Sequence, residues 1–246
     1  MAEWADKESQ PVRKRPGGKL ATRPLHFIWI LDASGSMSID GKIEALNNAI
    51  RETIPHMRQV ADENPNARVL VRAVRFASGA SWHIAEPAPV QEFEWEDIQP
   101  AGVTDMGRAL QIVAEELRIP PMTDRALPPV LVMISDGQPT DDISAGMAAL
   151  MAQPWGRKAV RVAIAIGEDA DMDILQQFIA NPDVRPLQAS NPEALVRYIK
   201  FVSTAVLQAA SAPPSQTRDH GELTTNVPLP QYFEEEQELV GVTDVW

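Results

Sequence analysis

Short unbroken apolar runs alternate along this chain with longer stretches in which apolar residues recur every third or fourth position. The first run, residues 25–31 (LHFIWIL), is too short for a helix and rich in β-branched and aromatic types, as expected of a strand buried on both faces. Behind a polar turn, Ile43, Leu46, Ile50, Ile54 and Met57 keep helical spacing. That spacing predicts a helix with Asp40 as its N-cap, Gly41 loosening its start and Pro55 as a place to kink. Residues 68–76 (RVLVRAVRF) alternate, and after Ala77-Ser78-Gly79-Ala80 the segment 81–85 (SWHIA) can return beside them as a hairpin, giving the sheet an antiparallel edge. Residues 86–100, rich in Pro and Glu, read as a crossing loop.

The second half repeats the theme. Met106, Leu110, Val113 and Leu117 set a helical stripe, and residues 130–134 (VLVMI) form another buried strand. Ser135-Asp136-Gly137-Gln138-Pro139-Thr140 then leads to a helix that Thr140 would cap. Residues 160–166 (VRVAIAI) make a further strand, and Met172, Leu175 and Phe178 mark a short helix. Asn191-Pro192-Glu193 opens the last helix with a cap, a first-position proline and a first-turn acid; Leu195, Tyr198, Ile199, Val202 and Val206 form its buried face. Strands alternating with helices specify an α/β fold. The expected architecture is a doubly wound, mostly parallel six-stranded sheet with helices on both faces and one antiparallel edge strand. In such sheets ligands sit at the carboxyl ends of the strands.

Composition narrows the function. With 44% hydrophobic and 23% charged residues in 246, one sizeable domain is expected over residues 24–210. Residues 1–23 carry six basic against three acidic groups beside Pro16-Gly17-Gly18 and read as a flexible basic arm. Residues 211–246 carry one basic against seven acidic groups among Pro213, Pro214, Pro228 and Pro230, and read as an acidic tail. Of the total charge of −12, the stretch between them keeps −9, which excludes nonspecific affinity for nucleic acid. In the tail, apolar side chains at 227–233 and 239–246 stand among acids, as in segments that fold on a partner, and residues 234–238 could reach a neighbouring molecule's site. No stretch approaches the roughly 18–20 apolar residues of a membrane helix, so no membrane role and a cytoplasmic setting are expected. Cys 0 rules out disulfides, thiolate nucleophiles and zinc fingers, leaving oxygen or the four histidines to hold any metal.

The unusual polar residues fall at the predicted strand ends. Asp32-Ala33-Ser34-Gly35-Ser36 begins at the last residue of the first strand, with Gly35 permitting the tight turn; Thr104-Asp105 begins a helix; Asp136-Gly137 follows another buried strand. Two carboxylates and three hydroxyls with no thiolate and no nearby histidine make a hard oxygen site suited to Mg²⁺, Mn²⁺ or Ca²⁺, with zinc a poor match. Asp105 is expected to brace its loop by accepting backbone hydrogen bonds. Neither Ser34 nor Ser36 sits in a nucleophile elbow, Asp32 lacks a second carboxylate two residues on, and no GxxxxGK[ST] is present, so the chain is not expected to be an enzyme. His26 and His83 read as structural, and His56 and His220 as solvated. Trp82, Trp95 and Trp155 serve equally well as interface anchors or as packing.

The order DxSxS, a threonine about seventy residues later and an aspartate about thirty beyond, here Asp32, Ser34, Ser36, Thr104 and Asp136, resembles the metal-ion-dependent adhesion site (MIDAS) of von Willebrand factor A (vWA) domains. The resemblance covers residues 24–208. It implies that the hydroxyls touch the ion, that the aspartates act partly through water, and that a partner protein's Asp or Glu carboxylate completes the coordination. The stretches RPLHFIWILDASGSM and VLVMISDGQPTDD are similar to the bacterial TerY-like branch of that family, linked to tellurite and stress resistance. That likeness implies association with a Ser/Thr kinase and a metal-dependent Ser/Thr phosphatase. The vWA partners of AAA+ ATPases in chelatase or remodelling complexes are the alternative. Some TerY-like members carry a cysteine-rich zinc module, which this chain cannot have.

Overall fold

Leu25 and the five residues from Phe27 to Leu31 are all buried on one strand, which is possible only if both of its faces are covered. The centre of the sheet is where that happens. Strand β1 (Arg23–Asp32) lies there, paired in parallel with β2 (Ala67–Ala77) on one side and β4 (Val130–Ser135) on the other. The computed structural model describes residues 22–211. The basic arm and the acidic tail, His220 and the segments singled out at 227–246 lie outside the described residues, apart from positions 22, 23 and 211. The sheet runs β3-β2-β1-β4-β5-β6, with β3 (Gly79–Pro89) antiparallel to β2 at one edge and β5 (Val160–Ile166) and β6 (Leu187–Ala189) completing the parallel side. This is the expected six-stranded, doubly wound α/β architecture.

Alternate residues of β1 feed opposite cores. Leu25, Phe27, Trp29 and Leu31 face α1 (Lys42–Glu63) and α6 (Pro192–Phe201), whereas Ile28 and Ile30 face α2 (Met106–Glu116), α3 (Ile143–Ala152) and α5 (Met172–Ile179). An unbroken apolar run is the sequence signature of that double burial. The short helices α4 (Pro154–Lys158) and α7 (Leu207–Ser211) and a π turn at Val202–Val206 complete the covering layers.

Several local expectations need correction. The crossing loop begins later than its prolines suggest, because β3 continues through Pro87 to Pro89; an edge strand tolerates proline, whose missing N–H would face solvent. Asp40 does not cap α1. It sits in the left-handed region (φ 54) within the 3-10 turn Gly35–Gly41, and Gly41 (φ 72) takes the cap position. The cap of α3 is Asp142, which accepts from the backbone N–H groups of Ser144 and Ala145, two residues beyond Thr140. The strand β6 has only three residues, too few to register as a pattern, and α1 runs on through Pro55. Asn191 caps α6 as expected, accepting from the Ala194 N–H.

Trp82, Trp95 and Trp155 are packed rather than offered to a partner. Trp155 is in the core, Trp95 donates to Asn47 Oδ1 (3.0 Å) while stacking near Trp29 and His83, and Trp82 lies under the Arg72 guanidinium at 3.8 Å. Arg72 pins the antiparallel edge further, pairing with Glu116 (2.7 Å) and donating to the Ala85 carbonyl.

His26 on β1 lies close to this cationic pin. Burial first, and then the charge of Arg72, lower its pKa from 6.5 to about 4, with Glu116 opposing. Above pH 6.5 it is neutral in both folded and unfolded chains and contributes nothing. Between pH 6.5 and about 4 the unfolded chain takes up a proton that the folded chain refuses, so stability falls across that window, by about 2–3 kcal/mol in total. His26→Leu is expected to remove most of this acid sensitivity, read as a smaller loss of urea stability between pH 7 and 4.5 than the wild type shows. An equal loss in the two proteins would assign the sensitivity to other groups.

Candidate metal centre

Strand order decides what meets at the top of the sheet. The chain builds outward from β1 to β2 and β3 and then returns to the other side of β1 with β4, so β1 and β4 are neighbours whose following loops diverge, leaving a crevice between them. Leu31 pairs with Ile134, which sets the next residues, Asp32 and Ser135, side by side. The Ser135 hydroxyl donates to Asp32 Oδ2 (2.5 Å), and Asp32 Oδ1 accepts the Ser34 N–H (2.8 Å), closing the turn after β1. No motif singles out Ser135. Its one signal is its place before Asp136 at a strand end.

From that turn a hydrogen-bonded relay crosses the crevice. Ser34 Oγ and Ser36 Oγ are 2.9 Å apart, and Ser36 Oγ donates to Asp136 Oδ1 (2.8 Å). Gly137 keeps the far side open: a Cβ there would stand 3.6 Å from Thr104 Oγ1 and 3.8 Å from Ser36 Oγ, so these two hydroxyls face a common space that any larger residue would begin to fill. All five residues assigned from sequence, Asp32, Ser34, Ser36, Thr104 and Asp136, therefore border one crevice. Asp32, Ser34, Thr104 and Asp136 are almost fully buried, and Ser36 is half-buried at the mouth. Burial pushes the Asp32 carboxyl above the usual carboxylate range and the nearby Asp136 adds to this, while hydrogen bonds from Ser135 and Ser34 oppose it.

The Thr104 loop is held from both sides. The Gly35 N–H donates to the Gly102 carbonyl (3.0 Å) and the Ala101 N–H to the Ala33 carbonyl (2.7 Å), tying the loop to the turn after β1. Gly35 serves close approach there rather than a left-handed turn, since a Cβ would lie 3.2 Å from the Gly102 oxygen, a tight contact that the loop would have to relieve by a few tenths of an ångström. Thr140, expected as a helix cap, instead accepts the Thr104 N–H at 3.0 Å, returns its own N–H to the Thr104 carbonyl, and donates its hydroxyl to Asp105 Oδ1. Asp105 also accepts the Gly79 N–H (2.6 Å), the bracing role expected of it.

Lys42 belongs to the centre although no motif contains it. The first residue of α1, it is buried and places its Nζ 2.9 Å from Asp136 Oδ2. A sequence signal exists: a cation in the first helical turn opposes the helix dipole and calls for a nearby anion. Above these groups opens a cleft of about 550 Å³ bordered also by Ile39, Asp40, Gln138, Glu168 and Asp169. Among the described residues no three His, Cys, Asp or Glu side chains converge, so a centre built of imidazole and carboxylate is absent from that part. The oxygen set at the crevice has two carboxylates and three hydroxyls, a composition that fits a divalent cation keeping several waters.

No family model matches the sequence, and no curated protein matches it. Solved structures share its fold. The ArnB paralog VWA2 from Sulfolobus acidocaldarius is 19% identical, with a TM-score of 0.54 over 72% of this chain and 44% of that one. A von Willebrand factor type A protein from Catenulispora acidiphila is 15% identical, with a TM-score of 0.59 over 75% and 43%. Proximal thread matrix protein 1 from the mussel byssus, with a zinc-occupied MIDAS motif, is 15% identical, with a TM-score of 0.55 over 77% and 47%. This chain spans less than half the length of each, and the fold it shares with them is that of von Willebrand factor A domains.

Proposed function

We propose that this chain is a protein-interaction module that depends on a divalent metal, and that it is not an enzyme. The observation that carries the reading is the relay Asp32, Ser34, Ser36, Asp136 across the β1–β4 crevice, with the Thr104 hydroxyl facing the same space. Ser34, Ser36 and Thr104 would hold the ion through neutral oxygens, with Asp32 and Asp136 supplying its only anionic charge. With so few anionic ligands, a bound divalent ion supplies Lewis acidity toward a carboxylate oxygen, here an Asp or Glu of the partner protein.

The chain's own residues fit binding better than turnover. Ser34 and Ser36 hydrogen-bond to one another and Ser36 also to Asp136, and the histidine contacts lie elsewhere: His56 meets the Glu52 carbonyl and His83 the Glu96 carbonyl. Among the described residues no histidine is therefore aimed at a serine hydroxyl, and the carboxylate that Ser36 meets, Asp136, is already paired with the Lys42 ammonium. The rim is also suited to contact, because two of the three large exposed apolar side chains among the described residues, Ile39 and Val103, stand beside the cleft and beside Thr104. Mg²⁺ is the ion favoured by the donor set, with Mn²⁺ and Ca²⁺ as alternatives. The zinc-occupied MIDAS of the mussel protein extends the range of divalent ions to be tested.

The likeness of RPLHFIWILDASGSM and VLVMISDGQPTDD to TerY-like proteins supports a finer reading. In it the module serves bacterial stress or tellurite-resistance signalling in the cytoplasm, alongside a Ser/Thr kinase and a metal-dependent Ser/Thr phosphatase. Among the described residues no helix is long and apolar enough to cross a membrane.

Ser36→Ala tests the reading with little structural cost, since Ser36 is half-buried and its removal leaves Asp136 paired with Lys42. We expect metal affinity to fall at least about tenfold, equivalent to about 1.4 kcal/mol, by calorimetric titration. Partner capture from a native lysate should fall equally in Ser36→Ala and in EDTA. A kinase or phosphatase among the proteins released by EDTA would support the finer reading. Capture unchanged by both treatments would sink the metal-dependent module.

A further inference from the structure

Lys42 is the feature of the centre that a simple metal site does not call for. Its ammonium binds Asp136 Oδ2 at 2.9 Å while Ser36 occupies Oδ1, so both oxygens of a prospective metal-binding carboxylate already have donors. The pair is buried, with side-chain exposures of 7% for Lys42 and 0% for Asp136. The side chain is housed as well as paired. A Cβ on Gly167 would stand at ordinary contact distance, 3.7 Å, from Lys42 Cε and Nζ, so the end of the Lys42 side chain lies against the end of β5. Its position in the first turn of α1 is electrostatically unfavourable, since the helix N-terminus repels cations.

Charge arithmetic gives this placement a consequence. Asp32 and Asp136 bring two negative charges and Lys42 one positive, so the ionised centre carries −1, and a divalent ion would take it to +1. Without Lys42 the loaded centre would be neutral. That difference matters because Asp40, Glu168 and Asp169 make the rim acidic and the segment 24–210 carries −9. A partner's carboxylate must approach against this field.

We propose that Lys42 is the internal counter-charge of the metal centre, weakening its hold on a divalent ion and strengthening its pull on a partner's carboxylate. The inference rests on the metal-dependent reading of the same site. If Lys42 served only to orient Asp136 as a ligand, removing it would loosen metal binding, so the sign of the change separates the two roles.

The test uses the full chain and Mn²⁺. Wild type, Lys42→Met, Lys42→Gln and Lys42→Arg are titrated by calorimetry and by the electron paramagnetic resonance signal of free Mn²⁺. Lys42→Met and Lys42→Gln are expected to bind Mn²⁺ about tenfold more tightly, and Lys42→Arg to stay within about threefold of wild type. The Mn²⁺-loaded proteins are then titrated with acetate, followed by proton relaxation, and the uncharged variants should bind it several-fold more weakly. The glutamine keeps a hydrogen-bond donor, so either uncharged variant, if folded, decides the matter. If both are unfolded without metal, Mn²⁺ should refold them, and failure to refold overturns the proposal. Mn²⁺ affinity that is unchanged or weaker in the uncharged variants overturns it while leaving the metal-dependent module standing, and so does unchanged acetate affinity. Absence of Mn²⁺ binding in every protein overturns both.

Discussion

Asp136→Ala is expected to destabilise the chain by about 3–5 kcal/mol without added metal, because it strands the buried Lys42 ammonium. The loss should exceed the usual cost of a missing hydrogen bond, about 0.5–1.5 kcal/mol, since an unpaired buried charge must be desolvated without return. Partial relief comes from Asp32, whose carboxyl is pushed up in part by Asp136 and would lose that repulsion. Urea denaturation in EDTA measures the effect, and the double variant Lys42→Met/Asp136→Ala should recover a good part of it, as a coupled pair requires. A single variant as stable as wild type would mean that the Lys42–Asp136 pair carries no energetic weight. The same coupling makes Asp136→Ala a poor probe of binding alone, since lost affinity and lost folding would arrive together.

Gly146→Val should be the second severe change, costing about 3 kcal/mol or more, at the upper end for overpacking because the obstruction is backbone. Even the first added atom, Cβ, would lie 2.5 Å from the Gly107 carbonyl oxygen and 2.9 Å from its Cα, and the reciprocal Cβ on Gly107 would lie 2.4 Å from the Asp142 carbonyl. Neither helix can accommodate this by a rotamer change, so α3 must move away from α2. That movement would disturb Asp141, which accepts the Gly107 and Arg108 N–H groups at the start of α2, and Thr140, which holds Thr104. Weaker metal binding is therefore expected together with lower stability. Thermal denaturation with and without Mn²⁺ reads both, and a Gly146→Val protein with wild-type stability would show that the two helices are not locked at this contact.

Part of the centre is legible in the order of residues because strand ends are a local property. The apolar runs ending at Asp32 and Ser135 mark where buried backbone gives way to polar loop, and DxSxS reads directly from one such end. Thr104 is legible as a polar residue at the start of a helix and again by its order in a family pattern, although the loop that precedes it has no periodicity of its own. The bracing role of Asp105 follows from its place ahead of a helix, but its partners, the Gly79 N–H and the Thr140 hydroxyl, lie at distant positions in the chain. Thr140 and Asp40 both mimic caps for one reason. Each is a polar residue preceding a helix, and which of several such residues turns toward the helix depends on what else competes for its side chain or backbone.

By itself, then, the order of residues determined the alternation of buried strands and amphipathic helices, the oxygen-rich chemistry at the strand ends and the acidity of the domain, because burial and charge are written in local periodicity and composition. Tertiary structure alone decided that β1 lies beside β4, which brings Asp32 against Ser135 and Ser36 against Asp136. It also decided that Lys42 turns inward to Asp136 and that two glycines let α2 and α3 touch. These are contacts between residues tens of positions apart, and no periodicity specifies them: they are chosen by the packing of whole elements against one another.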